Sequence, residues 1–421
     1  MKRIVCFGPG PQFKGGISNY NTSLAKALDK FPEAEVHIVS WTQQYPAIIP
    51  RDFIDRASRK DLLEGTRIKV KYITNYNNPF SWGATFNYIK DLNPDIVIFQ
   101  WAIALQGLPL GYIARRLMKL KNVEVIFDTH FVKQKEASSI DKFFSRYGLG
   151  KAHTYIAHAM RNADELKEMY RDKKFTITET GERAKEGNTI IKLYHPVYDM
   201  FQPDKNFDLE KVKQELKLKK HVFLFFGFIR KYKGLHNVIR AYARVAHQRN
   251  DVSLLIVGES FWQTLNPNSF SAKVKKALFG FAKSLLLKNS DNEQDYQPLK
   301  LIEQLQLQNS TTVINRFVPN EEVYKYFQVA DCIVNYYLFA TPSGVESIAY
   351  NFHLPILATR VGHFPETVKP GYNGYIAEPD NIDSMAAQML NIIEHPIDRS
   401  RVAETADKFS WVNYAKALLN K

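Results

Sequence analysis

Short apolar runs alternate with stretches of helical period along nearly the whole chain. Runs rich in branched and aromatic residues predict strands at 3–7, 36–41, 68–73, 96–99, 123–127 and 154–157. A second set follows at 222–226, 253–257, 311–314, 332–335 and 356–359. Between them the spacing is that of amphipathic helices: Ile17, Tyr20, Leu24 and Leu28 share one face, and Val238, Ala241 and Val245 share another. Such alternation predicts parallel sheets covered by helices. It breaks at Tyr194-His195-Pro196-Val197-Tyr198-Asp199 and the polar stretch 202–208, and restarts at Val222. The expected fold class is therefore α/β, with two doubly wound domains facing across a cleft. The first covers 1–200, the second 201–405, and a closing helix 406–421.

In open sheets of this kind ligands bind where strands end and loops lead into helices. The first such loop is Gly8-Pro9-Gly10-Pro11-Gln12-Phe13-Lys14-Gly15-Gly16. Gly8-x-Gly10 matches the start of a dinucleotide fingerprint, but Phe13 stands where the third glycine belongs, which argues against a nicotinamide or flavin site. Gly15-Gly16 lets backbone approach a ligand at a helix start, with a plain turn as the alternative. The second loop, Gly227-Phe228-Ile229-Arg230-Lys231-Tyr232-Lys233-Gly234, sets three cations behind an apolar strand. Arginine forks onto phosphate oxygens and lysine acts as a point charge, although an exposed basic turn reads equally well. The third, Ala340-Thr341-Pro342-Ser343-Gly344-Val345-Glu346, opens a helix whose free N–H groups attract an anion. Ser343 serves equally well as an ordinary cap.

Composition narrows the partners. Lys and Arg number 57 against 43 Asp and Glu among 421 residues, a formal charge of +14 that calls for something anionic. Cys6 and Cys332 lie in apolar strand-like runs and make neither a disulfide framework nor a metal site, which suits a reducing cytosol. The apolar run behind Met1-Lys2-Arg3 ends at Gly8-Pro9-Gly10, too short for a signal core. The apolar stretch 96–114 is broken by Gln100, Gln106, Gly107, Pro109 and Gly111, so it reads as strand, loop and helix rather than a membrane span. A cytoplasmic chain is expected, with peripheral attachment to the inner membrane face left open.

The three loops, in this order and spacing, resemble the GT-B glycosyltransferases, specifically family 4 (glycosyltransferase group 1) of the retaining, nucleotide-sugar-dependent enzymes. The motifs that carry the resemblance are 225–235, Ser343-Gly344-Val345, Leu354-Pro355-Ile356-Leu357-Ala358-Thr359, Val361-Gly362-His363-Phe364-Pro365-Glu366 and Gly371-Tyr372-Asn373-Gly374-Tyr375. Phe317-Val318-Pro319 and the closing Phe409-Ser410-Trp411 add to them. The resemblance implies two Rossmann-like domains, the closing helix crossing back onto the first. It implies Arg230 and Lys233 on the donor diphosphate, the Gly227 turn beside them, and the Ser343-Gly344-Val345 backbone capping it. Gly15 and Gly16 would approach sugar and acceptor, and His130 would contact the transferred sugar. Glu136 and His195 are weaker candidates, better read as solvated loop residues. Two glutamates that the family often carries eight apart fall here on Ala340 and Ile348; Glu346 lies nearby, out of register, and is a candidate to take their place in the donor pocket, with a helix cap or no role as the alternatives.

Fixed cations and a helix start stabilise a departing diphosphate without a metal, and no His/Asp/Glu cluster at metal-ligand spacing stands out. No cofactor is expected beyond the nucleotide sugar itself. The family's front-face mechanism retains anomeric configuration, with His130 orienting the sugar. The acceptor expected is a saccharide or lipid-linked saccharide of envelope polysaccharide or glycolipid assembly. Two acid-free stretches hold much of the remaining charge. Stretch 96–123 carries Arg115, Arg116, Lys119 and Lys121 opposite Leu110, Ile113, Leu117 and Leu120. Stretch 261–290 carries Lys273, Lys275, Lys276, Lys283 and Lys288 beside an apolar stripe of Phe270, Val274, Leu278, Phe281 and Leu285. Both are candidates for an anionic membrane surface, against the alternative of core-facing helices with solvated backs. Alternatives for the whole chain are a nucleotide-sugar epimerase on the same fold and a non-catalytic partner of another transferase. No nucleic-acid module accompanies the charge, so no nucleic-acid partner is expected.

Overall fold

A computed structural model describes residues 1–46, 53–56, 58, 61–133, 138–260, 296–340, 342 and 344–420. The strand-forming runs assemble into two sheets. The first contains β1 (Lys2–Phe7), β2 (Ala34–Gln43), β3 (Lys69–Asn75), β4 (Ile96–Trp101), β5 (Glu124–Thr129), β6 (Thr154–Ala157), β7 (Phe175–Thr178) and β8 (Asn188–Lys192), in the order β3-β2-β1-β4-β5-β6-β8-β7. The second contains β9 (His221–Phe226), β10 (Val252–Val257), β11 (Thr311–Ile314), β12 (Cys332–Asn335), β13 (Ile356–Thr359) and β14 (Gly374–Ala377), in the order β11-β10-β9-β12-β13-β14. Every strand pairing is parallel. The sheets reverse their winding between β1 and β4 and between β9 and β12, and the first does so again at its edge, where β7 lies outside β8. A crevice opens at the strand ends beside such a reversal. The loops leaving β1, β9 and β12 at the first two of these points are the three singled out above.

The first domain's helices are α1 (Gly16–Asp29), α2 (Pro79–Asp91), α3 (Gly107–Leu117), α4 (Ser139–Gly148) and α5 (Met160–Met169). The chain then forms α6 (Leu209–Glu215), α7 (Leu235–Ala246), α8 (Lys300–Gln304), α9 (Val323–Val329), α10 (Gly344–Asn351), α11 (Phe364–Thr367), α12 (Ile382–Glu394), α13 (Arg399–Lys408) and α14 (Trp411–Leu419). The expected faces of α1 and α7 are in the core: Tyr20, Leu24, Leu28, Val238, Ala241 and Val245 are fully buried. Cys6 and Cys332 are free, buried thiols.

Buried apolar residues form three groups, one on the outer face of each sheet and one running continuously between the sheets through Val197, Tyr198, Phe201 and Trp411. The interdomain contact is thus itself core. Helix α14 is part of it, lying against α1, with the Tyr20 hydroxyl 2.7 Å from that of Tyr414.

The apolar stripe expected to meet a membrane on 96–123 needs correction. Leu110, Ile113 and Leu117 of α3 are fully buried against the first sheet, so that stripe is core, and only the cationic back of the helix faces outward. Stretch 261–290 lies outside the described residues, as do Glu136 and Ser343. Among the described residues, no helix is long and apolar enough to cross a membrane.

Candidate functional site

A cavity of about 350 Å³ opens between the two sheets. From the first domain it is walled by Phe13, Gly15, Gly16, Ile17, Asn19 and Asp55; from the second by Gly227, Lys233, Gly344 and Val345, with Tyr232, Tyr337 and Ile348 beside them. Of the residues nominated from sequence, Gly15, Gly16, Gly227, Lys233, Gly344 and Val345 therefore meet in one space.

Local backbone geometry builds the second domain's wall. After β9 the chain turns at Gly227 (φ 96°), then makes a short helical turn at Lys231–Lys233 that folds the Lys233 side chain back under the glycine. A Cβ on Gly227 would lie 2.8 Å from Lys233 Nζ, so glycine supplies both the left-handed backbone and the room for the amine. Lys233 is buried, and burial, followed by the Arg230 guanidinium, pushes its amine down to about 7. Arg230 lies outside the cavity wall, its guanidinium 5.7 Å from the Tyr232 ring. Helix α10 begins at Gly344, and Gly344 and Val345 line the same cavity, so the positive end of the helix borders it.

Tyr198 joins the two walls. Its hydroxyl donates to the Gly16 carbonyl at 2.8 Å, and its ring fills the place a Cβ on Gly344 would need. The sequence pattern marks this residue only as part of the break between domains. Asp55, Asn320 and Phe317 close the far end, where Lys14 Nζ stands 4.9 Å from the Phe317 ring centre and the Asn320 N–H donates to Ser58 Oγ at 3.2 Å.

Glu346 is not part of the cavity wall. Its carboxylate is buried in a hydrogen-bonded pair with His363 Nε2, which corrects its expected place in the donor pocket. The reason is register: from the start of α10, Glu346 falls on the face turned into the domain, whereas Ile348 reaches the cavity. At Ile348, the second position where the family often has glutamate, the cavity surface is apolar.

His130 also lies behind the wall. Its Nε2 is 2.7 Å from Gln100 Oε1, and its ring meets Tyr20 edge-on at 4.7 Å. Burial pushes the imidazole down to about 4 against the pull of Asp128, so at neutral pH it is uncharged. Around it is a network that sequence reading did not assemble. Tyr20 donates to Tyr414 at 2.7 Å, and Tyr414 to Asp128 Oδ2 at 3.1 Å. The His158 ring nitrogens face Asp128 Oδ1 at 2.8 Å and the Leu193 carbonyl at 3.1 Å. Burial alone would raise the Asp128 carboxyl; the charge and hydrogen bond of His158 outweigh it and hold it below the ordinary aspartate range.

His195 is no solvated loop residue. It meets the Tyr20 ring edge-on at 4.8 Å, and its Nδ1 is hydrogen-bonded at 2.7 Å to Ser347 Oγ on α10. Burial, then the His158 and His130 charges, push it well below the usual histidine range. Among the described residues no three acidic, histidine or cysteine side chains converge as a metal site.

Residues 206–409 match the model of the family described as glycosyl transferases group 1. The chain is 24% identical over 238 residues to spore coat protein SA of Bacillus subtilis (strain 168); the match spans 55% of this chain and 55% of that protein, about half the length of the curated relative. In fold, the chain is similar to Anabaena Alr3699/HepE solved in complex with UDP-glucose, with a TM-score of 0.66 and 15% identity over 100% of this chain and 98% of that one. It is likewise similar to sucrose-phosphate synthase from Thermosynechococcus elongatus, at a TM-score of 0.61 and 16% identity over 100% and 97%. The architecture is GT-B.

Proposed function

We propose, for a chain whose residues 206–409 match the model of the group 1 glycosyl transferases, that the cleft binds a nucleotide-diphosphate sugar and passes its sugar to a saccharide or lipid-linked saccharide. Transfer retains anomeric configuration, needs no metal ion, and serves envelope polysaccharide or glycolipid assembly. The observation that carries this reading is the meeting, in one cavity, of the Lys233 amine, the start of α10 and the Gly15-Gly16 turn of the opposite domain. The UDP-glucose held by the Anabaena protein on the same fold supports a nucleotide sugar as donor.

Breaking a bond to a diphosphate puts negative charge on its oxygens. Lys233, Arg230 behind it, and the N–H groups of Gly344 and Val345 supply fixed positive potential where that charge grows. Their positions are set by turn geometry before the donor arrives, so little reorganisation accompanies bond breaking. Neutral His130, held by Gln100 and Tyr20 behind the cavity wall, acts on the sugar only by bracing that wall and takes no covalent part. The acceptor hydroxyl approaches along the Gly15-Gly16 side and gives its proton to the departing phosphate oxygen.

A panel of UDP-, GDP-, ADP- and dTDP-sugars, with released nucleotide as readout, tests this reading. One donor should release nucleotide only in the presence of a saccharide acceptor, and Lys233→Ala should lower that rate about 100- to 1000-fold with the fold intact. Release without acceptor would favour the epimerase reading, and undiminished turnover in the variant would sink the diphosphate site.

A further inference from the structure

Of the large apolar residues left exposed in the first domain, Phe80, Ile140 and Phe143 lie on neighbouring helices, while Met1 and Met160 lie outside them. Helices α2, α3 and α4 connect successive strands in one winding direction and lie side by side on one face of the sheet, with α3 in the middle. Phe80 at the start of α2 is 90% exposed, and Ile140 and Phe143 on α4 are 50% and 60% exposed. On α4 the sequence Ile140, Phe143, Phe144, Tyr147 follows an i, i+3, i+4, i+7 stripe. Its inner members are covered by α3, and its outer two face away from the protein. Both α2 and α4 begin after the carboxyl ends of β3 and β5, on the side of the sheet from which the loop after β1 enters the cleft.

Cations predominate around them, with Asp91 at the end of α2 the exposed carboxylate on these helices. Arg116, Lys119, Lys142 and Arg146 are exposed on α3, α4 and the turn after α3. The Arg115 guanidinium lies 3.6 Å from the centre of the Tyr147 ring, continuing the same surface. Helix α3 carries no acidic residue, and the one on α4, Asp141, is tied into a capping box with Ser138. Trp82 and Tyr112, with rings 6.0 Å apart, flank the patch on the α2 side. Bulky apolar tips, interfacial Trp and Tyr, and predominating cations are the composition that an anionic bilayer surface binds.

We propose that the outward face of α2, α3 and α4, centred on Ile140 and Phe143, docks on an anionic lipid bilayer and brings the cleft rim to its surface. The lipid meets the patch through acyl contacts to Phe80, Ile140 and Phe143 and headgroup contacts to the cations. The inference deepens the lipid-linked-acceptor reading, because a docked rim receives an acceptor head that never leaves the membrane. It is tested apart from that reading, since vesicle binding needs neither donor nor acceptor.

The full chain should float with phosphatidylcholine vesicles containing phosphatidylglycerol about tenfold more than with phosphatidylcholine alone. The double variant Ile140→Asp/Phe143→Asp should lose that flotation, and Arg116→Glu/Lys119→Glu should lose most of it. Both should keep the wild-type melting temperature and the wild-type nucleotide release with a soluble acceptor, since these side chains are exposed and outside the cavity. Flotation independent of anionic lipid, flotation unchanged by the Ile140/Phe143 variant, or no flotation overturns the proposal. So does concentration-dependent dimerisation that the same variant abolishes while flotation persists, because the patch would then be a contact between copies of the chain.

Discussion

On the second domain's side of the cleft, Gly227, Lys233, Gly344 and Val345 come from two loops, each leaving the end of a strand at a winding reversal. On the first domain's side, His130 rests on Tyr20, Asp128, His158, His195 and Tyr414, drawn from five widely separated parts of the chain. The first arrangement is backbone shape with one buried amine, and removing the amine leaves the turns standing. The second is a hydrogen-bonded chain of Tyr20, Tyr414, Asp128 and His158 with the His130 and His195 rings packed on it, so removing one strands its neighbours. The two walls should therefore fail differently: one in turnover, the other in folding.

The largest expected effect contrasts the two directly. Asp128→Asn removes the charge facing His158 and one acceptor of a wholly buried network, and should cost about 3 kcal/mol of stability. Lys233→Ala should leave the melting temperature nearly unchanged while transfer collapses. Because the Asp128 carboxyl lies below its ordinary value in the folded state, its contribution is present above about pH 4 and fades as pH falls through the folded value. Denaturant unfolding of wild type and Asp128→Asn at neutral and acid pH should show the gap closing on acidification. Equal stability of the two proteins at neutral pH would break the comparison.

The same contrast separates what the sequence makes legible. A glycine turn with cations spaced over eight residues is a local pattern, and so is a Gly-Val helix start; both could be read before any fold was known. Eleven of the strands follow from apolar runs, but β7, β8 and β14 are short and begin beside glycine or charge, leaving too little period to recognise. Tyr414 and Asp128 are 286 residues apart in sequence and 3.1 Å apart in space, and nothing in either segment announces the other. The same holds for Tyr198, whose tie to Gly16 exists only once both domains have formed. In α3 the amphipathic pattern is plain in the sequence, yet only packing shows that its stripe is core and that its neighbour α4 carries the exposed apolar side chains.

A second prediction sharpens the role of the second wall's lysine. Free of ligand, the Lys233 amine is charged below about pH 7 and neutral above it. Diphosphate requires the cation, so above pH 7 donor binding takes up a proton. The donor KM should rise about tenfold per pH unit from that point, because kcat/KM reports ionisations of the free enzyme. Lys233→Arg keeps its charge at all these pH values, so its profile should be flatter even though its affinity is lower. Calorimetric titration in buffers of different ionisation enthalpy measures the proton directly; no uptake at pH 8 would remove the titrating amine from the account. His130, already neutral at pH 7, should contribute no limb near neutrality.

The smallest expected effect lies where the two walls meet. Ser347 Oγ on α10 is hydrogen-bonded to His195 Nδ1, and His195 packs on the Tyr20 ring that also supports His130. Replacing Ser347 with alanine removes one neutral hydrogen bond, a loss of about 1 kcal/mol, and should lower the melting temperature by only a few degrees. If that bond does no more than hold the domains together, kcat and donor KM stay as they are. If it also sets the angle of α10 against the His130 side, kcat falls severalfold while donor KM holds, because the diphosphate contacts are unaltered and only the sugar is misplaced. Ser347→Thr, which restores the hydroxyl, should then recover kcat. A rise in donor KM with unchanged kcat would place Ser347 with the diphosphate wall alone, and the two walls would be coupled through Tyr198 instead.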